Sequence, residues 1–298
     1  MVSFDKKDIF VRELDQLENI YYKIEKQQNF DNKDWNTPYS IVKYPISLMQ
    51  YKKAINQVKE QIKMGNSYLL NLTFETAITS DLSLKEIFYR AQAKFKLYFN
   101  GQFVCFSPER FIKIDNNLIS TYPMKGTINA KLPNAKTKIL NNPKEMAEHI
   151  MMVDLMRNDL SIIASDVRVE KFRYIEKIIA GDKELLQVSS KIVGDLENDW
   201  HKNLGEILKK LLPAGSISGT PKKKTIEIIN TIENYQRGFY SGVFGVFDGE
   251  NLDSSVMIRF VEDQDGDLVY KSGGGITIDS DTKSEYQEMI DKIYFPFN

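Results

Sequence analysis

The strands legible in this sequence come in consecutive runs, with no helix between their members. Apolar, β-favouring stretches at Phe239–Phe247, Ser254–Glu262 and Leu268–Ile278 follow one another directly. Phe103–Ile114 and Leu118–Tyr122 do the same across Asp115-Asn116-Asn117, a turn-forming triplet. Strands joined this closely pair antiparallel, because a parallel pair needs a crossover of about a dozen residues or more. Tyr68–Thr79 reads as a further strand. The helical patterns stand apart. Leu48–Met64 carries Ile55, Val58 and Ile62 on one face and ends at Gly65-Asn66. Pro143–Ala164 has Asn142 as N-cap and Pro143 in its first position. Ser218–Glu233 has Pro221 near its start, and Ser284–Ile293 closes the chain. There is no βαβ rhythm and no internal repeat. The expected fold is α+β, with two mostly antiparallel sheets packed as a sandwich and helices on the outside.

Residues 1–45 read as a short N-terminal segment and 46–298 as one main domain. Within the segment, Leu14, Leu17, Tyr21 and Ile24 sit at helical spacing, which predicts a helix over Arg12–Lys26. Polar Gln27–Ser40, with Pro38, reads as a loop. A chain of 298 residues, 42% hydrophobic, can bury a sizeable core. A net charge of −1 gives no reason to expect a nucleic-acid partner. No apolar run is long enough for a membrane-spanning helix, so no membrane is expected. Met1–Lys7 lacks the charged-then-apolar pattern of a signal peptide. One cysteine excludes an internal disulfide and suits a reducing cytoplasm. Two histidines, His149 and His201, argue against histidine-rich metal sites and most triads. Chemistry is left to Lys, Glu, Asp, Arg, Tyr and backbone amides.

If Asp115-Asn116-Asn117 is the turn, Arg110 stands opposite Tyr122 and Glu109 opposite Pro123. Lys125 then extends past that pair on the side of Glu109, with diagonal neighbours roughly 7–8 Å apart. Gly126 lets a ligand approach the backbone. An amine with a lowered pKa can act as nucleophile, and a neighbouring acid can protonate a leaving group. By itself the pair reads first as a plain surface salt bridge. Glu145 and Glu148 share a helix face at i, i+3 spacing, and Glu285 and Glu288 repeat it on the closing helix. Two such pairs facing each other suit a hard cation such as Mg²⁺, although each alone reads as a solvated acidic face. Gly215–Lys222 leads into a helix and offers an anion site at its N-terminus, with Lys222–Lys224 adding charge. Gly273-Gly274-Gly275 ends a strand and would let amides touch a ligand carboxylate. Arg259, in the otherwise apolar Val256–Phe260, is a candidate carboxylate clamp. Each glycine-rich stretch also reads as an ordinary turn. Cys105, with no basic partner in sequence, reads as core.

Taken together, these stretches resemble the chorismate-utilising enzymes, which include anthranilate synthase component I, aminodeoxychorismate synthase component I, isochorismate synthase and salicylate synthase. The resemblance is carried by Gly65–Leu72, Ser107-Pro108-Glu109-Arg110-Phe111, Pro123-Met124-Lys125-Gly126-Thr127, Glu148–Leu160, Gly215–Lys222, Arg237–Gly242, Gly273–Ile276 and Asp279–Glu288. It runs in family order over roughly residues 46–298. In that family the residue before Gly-Thr is alanine in anthranilate synthase and lysine in aminodeoxychorismate synthase; here it is Lys125. The resemblance therefore implies an aminodeoxychorismate synthase activity on an anthranilate synthase component I-like fold. It implies Mg²⁺ held by Glu148 and Glu288, with Glu145 and Glu285 acting through water. It implies attack of Lys125 on ring C2, protonation of the departing C4 hydroxyl by Glu109, and addition of ammonia at C4. Arg259, Tyr240, Gly126, Thr127 and the amides of Gly273, Gly274 and Gly275 would hold the substrate carboxylates. No glycine-flanked nucleophilic cysteine with a histidine partner is visible, and because the family usually pairs with a separate glutamine amidotransferase subunit, the resemblance implies that such a subunit supplies the ammonia.

Gln187 stands where family members carry a pocket histidine, Leu69 replaces the usual glutamine and Ser218 a usual threonine. The short N-terminal segment argues against the tryptophan site that longer members can hold. Two other readings remain open: another chorismate conversion such as anthranilate synthesis, and an inactive relative that binds chorismate or the partner. Lys125 opposes the first, and Gln187 alone supports the second.

Overall fold

The computed structural model describes residues 1–33, 38–180 and 183–297. Among them every strand pairing is antiparallel, and the strands form two sheets with helices, as the α+β reading expects. The nine-stranded sheet runs Gly219–Thr220, Leu69–Ser80, Asp267–Ile276, Phe260–Gln264, Phe103–Ser107, Phe95–Phe99, Ile20–Ile24, Gln27–Gln28, with Ile41–Tyr44 also paired to Leu69–Ser80. The seven-stranded sheet runs Ser165–Ala180, Lys183–Asp195, Leu118–Thr121, Arg110–Asp115, Leu252–Val256, Val243–Phe247, with Met124–Asn129 branching onto Lys183–Asp195. Leu70, Leu72 and Ile276 of the larger sheet share one buried cluster with Ile112, Ile114, Ile119 and Val256 of the smaller. The sheets thus pack face to face around an apolar core, each fully buried aliphatic chain contributing about 1.5–3 kcal/mol.

The expected helices form where the caps say. Leu48–Lys63 opens on a Ser47–Gln50 capping box and buries Tyr51, Ala54, Ile55 and Val58. Pro143–Ser161 is capped by Asn142, whose side chain accepts from the amides of Lys144 and Glu145. Thr282–Asp291 is capped by Asp281 and buries Met289. No helix of the described residues is long and apolar enough to cross a membrane.

Four local expectations are corrected. Arg12–Lys26 is not a helix: only Leu14–Gln16 makes a 3₁₀ turn, and Ile20–Ile24 is a strand paired with Phe95–Phe99. Its buried Ile20, Tyr22 and Ile24 alternate, and period two prevails once the sheet offers an edge. Gln27-Gln28, expected as loop, forms a short strand with Lys23-Ile24; residues 34–37 of that loop lie outside the described residues. The helix expected from Ser218 begins at Lys222, because Gly219-Thr220 pairs with Leu69-Leu70. The apolar runs Phe103–Ile114 and Ser254–Glu262 are each two strands, divided between the two sheets. Within residues 1–45, Ile20–Ile24 and Ile41–Tyr44 belong to the larger sheet, and Val2 pairs with Val243 of the smaller.

Candidate active site

At two points the chain steps from one sheet to the other within two or three residues, and both steps carry a charged residue of interest. After Phe103–Ser107 it passes through Pro108-Glu109 into Arg110–Asp115; after Leu252–Val256 it passes through Met257-Ile258-Arg259 into Phe260–Gln264. The crossings are stitched together. Ser255 Oγ donates to the Glu109 carbonyl at 2.7 Å, and the Phe106 amide donates to the Arg259 carbonyl at 3.2 Å. Arg259 turns the corner at φ 54°, the left-handed region that L-residues other than glycine rarely adopt. The seam therefore holds Glu109 and Arg259 beside one cavity of about 190 Å³.

Lys125 reaches the same cavity by another route. The expected hairpin forms, but its turn is the two residues Asn116-Asn117, both at positive φ, and Asp115 pairs with Leu118. The register is one residue off the expected one, which would turn Lys125 away from Glu109 if the hairpin simply continued. It does not continue. Met124–Asn129 leaves the hairpin and pairs with Lys183–Asp195, Thr127 opposite Gln187 and Met124 opposite Ser189. That ladder spends three residues against two, a bulge at Lys125-Gly126 with Gly126 at φ 93°. The bulge aims Lys125 inward.

The electrostatics follow from burial. Burial pushes the Glu109 carboxyl above its ordinary pKa, against the Ser216 hydroxyl, Arg259 and Lys125, which favour the charged form. A carboxylic acid that keeps its proton suits a general acid. Lys125 Nζ sits 2.9 Å from Glu148 Oε2. Burial works to lower its pKa, but Glu148, then Glu288 and Glu145, outweigh burial and raise it. Burial raises the carboxyls of Glu145, with Glu148 adding to it, and of Glu285, with Glu288 adding to it. Burial also acts on Glu288, but Lys292 at 2.7 Å brings its pKa below the ordinary value. The four carboxylates thus flank Lys125 from two helices. Among the described residues no three Asp, Glu, His or Cys side chains gather as a metal centre; Lys125 and Lys292 reach in and pair with Glu148 and Glu288.

Lys125, Glu109, Tyr240, Arg259, Gly273, Gly274 and Gly275 line the one cavity. Gly126 and Thr127 do not line it; a Cβ on Gly126 would lie 2.9 Å from Glu145 Oε2, and Thr127 is exposed. Glu285 and Glu288 face Gly274, where a Cβ would come within 3.6 and 3.7 Å of them. Tyr240 is buried, which pushes its phenol up to about 12. The Arg259 Nε is buried with no hydrogen-bond partner, and its guanidinium stacks 5.6 Å from the Tyr294 ring. It has no carboxylate partner among the described residues, so it is available to a ligand anion. At Gly215–Lys222 the helix begins at Lys222, the last residue of the stretch, and the ammonium of that lysine is occupied by Asp159 at 2.7 Å and the Leu211 carbonyl. Ser216 of the stretch lines the cavity. Asn71, Lys271 and Lys292 line the cavity as well, beyond the residues expected from sequence. Lys271, a lone charge inside Leu268–Ile278, and Lys292, four residues after Glu288, carried a signal; Asn71 carried none.

A matching family supplies the context for this cavity. The sequence matches the chorismate binding enzyme family over residues 3–298. The chain belongs to that family. It is a chorismate-utilising enzyme of the aminodeoxychorismate and anthranilate synthase component I group. It is 46% identical over 303 residues to an uncharacterised PabA-like protein of Pasteurella multocida, covering 99% of this chain and 93% of that protein. It is 34% identical to aminodeoxychorismate synthase component 1 of Escherichia coli, over 82% of this chain and 56% of that protein. Among solved structures, anthranilate synthase component I from Streptococcus pneumoniae superposes with a TM-score of 0.73 at 25% identity, over 86% of this chain and 59% of that one. The chain thus spans a little over half of these two longer proteins, while it nearly matches the Pasteurella protein in length.

Proposed function

We propose that the chain is an aminodeoxychorismate synthase component I, converting chorismate and ammonia to 4-amino-4-deoxychorismate in the cytoplasm for para-aminobenzoate and folate synthesis. The observation that carries the reading is Lys125, bulged into the same cavity as Glu109, whose carboxyl burial raises above its ordinary pKa. Neutral Lys125 attacks ring C2 as the C4–O bond breaks, and Glu109 gives its proton to the departing hydroxyl, which leaves as water. Ammonia then adds at C4, the C2–Nζ bond breaks, and the proton that ammonia sheds returns to Glu109. Arg259 and Tyr240, with the amides of Gly273, Gly274 and Gly275, hold carboxylates of the substrate.

Glu148 outweighs burial and raises the Lys125 pKa, so the lysine passes its extra proton to solvent, once the charge of that carboxylate is offset, before it attacks. Glu148 and Glu288, with Glu145 and Glu285 through water, would offer oxygen alone, the donor chemistry that Mg²⁺ takes, and burial, with Glu148 and Glu288 adding to it, raises the Glu145 and Glu285 carboxyls. When bound, the ion supplies positive charge that anchors a substrate carboxylate and frees Lys125 from its anionic neighbours. The relative's designation as component 1 supports a second component, which we assign as a glutamine amidotransferase supplying ammonia. The test is to incubate the purified chain with chorismate, Mg²⁺ and ammonium chloride and identify the product by mass spectrometry. 4-Amino-4-deoxychorismate is expected; anthranilate, or unconsumed chorismate, overturns the reading.

A further inference from the structure

Lys271 is buried, it lines the catalytic cavity, and the reaction above gives it no task. Its place in the sheet suggests one. On the Leu69–Ser80 strand, Asn71, Thr73 and Glu75 fall on one face by alternation. The register sets Gly275, Gly273 and Lys271 of the neighbouring strand directly opposite them. At the inner end a Cβ on Gly275 would lie 3.8 Å from Lys125 Nζ. There too, Asn71 Oδ1 is buried in the cavity wall without a hydrogen-bond partner. In the middle, Thr73 Oγ1 meets the Tyr235 hydroxyl at 2.6 Å. At the outer end, Lys271 Nζ lies 2.8 Å from Glu262 Oε2 and 3.6 Å from Glu75 Oε1. Glu75 and Tyr235 also line a separate surface groove of about 500 Å³. A file of polar side chains about 13 Å long, from the strand rise, thus runs along this face, with Lys271 on the cavity and its partner Glu75 on the groove.

We propose that this file is the entry path for ammonia, with Lys271, Glu75 and Glu262 as its port. The proposal rests on the amination reading. Glu75 and Glu262 already hold a small cation, the ε-ammonium of Lys271, whose charge and donor geometry are those of an ammonium ion. Ammonium collected at the groove leaves its proton to water and moves inward as neutral ammonia. Its N–H groups find the unpartnered Asn71 Oδ1, and its lone pair faces the ring carbon held beside Lys125. Asn71 Oδ1, with no donor among the described residues, is open to accept an N–H of ammonia.

The test uses the full chain with chorismate, Mg²⁺ and ammonium chloride varied at constant pH and ionic strength. Glu75→Gln and Glu262→Gln, both partly exposed, are each expected to raise the KM for ammonium about three- to fivefold and to leave the KM for chorismate in place. Lys271→Ala opens a slot between the two carboxylates. Its melting temperature is expected to be higher in ammonium chloride than in sodium chloride of equal ionic strength, while the parent melts alike in both. An unchanged ammonium KM in both Gln variants, a parallel rise in the two KM values, or equal melting of Lys271→Ala in the two salts overturns the port. A parent that consumes no chorismate overturns the amination reading instead, and the melting comparison still reads the port by itself.

Discussion

Replacing Arg237 with methionine should unfold the walls of the cavity from behind. Arg237 and Glu233 are almost fully buried and joined by two hydrogen bonds, Nε to Oε2 at 2.8 Å and Nη2 to Oε1 at 2.7 Å. The same guanidinium donates to the carbonyls of Ile217 at 2.9 Å and Asn71 at 2.7 Å. Glu233 Oε1 also accepts from the Thr73 amide and hydroxyl, both at 2.8 Å. One pair therefore pins the Leu69–Ser80 strand to the Gly215–Ile217 turn. Arg237→Met leaves a buried carboxylate without its cation and two carbonyls without donors. Removing one partner of such a pair costs about 3–5 kcal/mol, or about 6–10 °C in melting temperature at about 2 °C per kcal/mol for a large domain. Glu233→Gln should cost less, because Arg237 keeps both carbonyls and the new amide still accepts from Thr73. Denaturant unfolding of the two single variants and the double variant measures the coupling. A loss under about 1 kcal/mol for Arg237→Met, or strict additivity in the double variant, refutes the reasoning.

The remaining predictions concern pH and close contacts. His149 is buried with Nε2 2.7 Å from Ser190 Oγ, and burial lowers its pKa from 6.5 to about 4. The folded state then binds fewer protons than the unfolded one between those values, so stability is full above pH 6.5 and falls as pH drops through the window, by about 3 kcal/mol in all. His149→Gln should flatten that decline, and urea titrations at several pH values check it; an unaltered slope counts against the assignment. Gly273→Ala would place a Cβ 2.1 Å from the Leu72 carbonyl oxygen and 2.6 Å from Thr73 Cα. A backbone shift costing about 1–3 kcal/mol is expected, and an unchanged melting curve would show the strands to be looser than described. Because burial raises the Glu109 carboxyl, its acid form persists to higher pH, and kcat should fall as pH rises through that raised value. In Glu109→Gln this alkaline limb should vanish along with most of the rate; a variant that keeps the parental profile removes Glu109 from the chemistry.

The elements of the fold were legible where local chemistry dictates them. The Ser47–Gln50 box, Asn142 before Pro143, and the alternating strands around Gly273–Gly275 all mark their structures in sequence. What was hidden is how an extended run is shared between sheets. Phe103–Ile114 and Ser254–Glu262 look continuous because both halves are apolar, yet each crosses the sandwich at a charged corner. Arg259 adopts a positive φ that nothing in its neighbours announces. Asn116-Asn117 favours a two-residue turn, and counting Asp115 into it shifted the register by one. Glu109 and Lys125 meet all the same, through a sheet branch and a bulge that no hairpin geometry contains. Lys271 and Glu75 stand opposite each other only by sheet register, across nearly two hundred residues of chain.

The central claim is that Lys125 is the nucleophile in this cavity. The most direct measurement is the intact mass of the chain after incubation with chorismate and Mg²⁺ in the absence of any ammonia source, followed by peptide mapping. The account predicts an adduct of chorismate less one water, located on Lys125, that is discharged as 4-amino-4-deoxychorismate when ammonium is added and is missing from Lys125→Ala. An unmodified Lys125, together with a Lys125→Ala variant that still forms the 4-amino product at the parental rate, would contradict it.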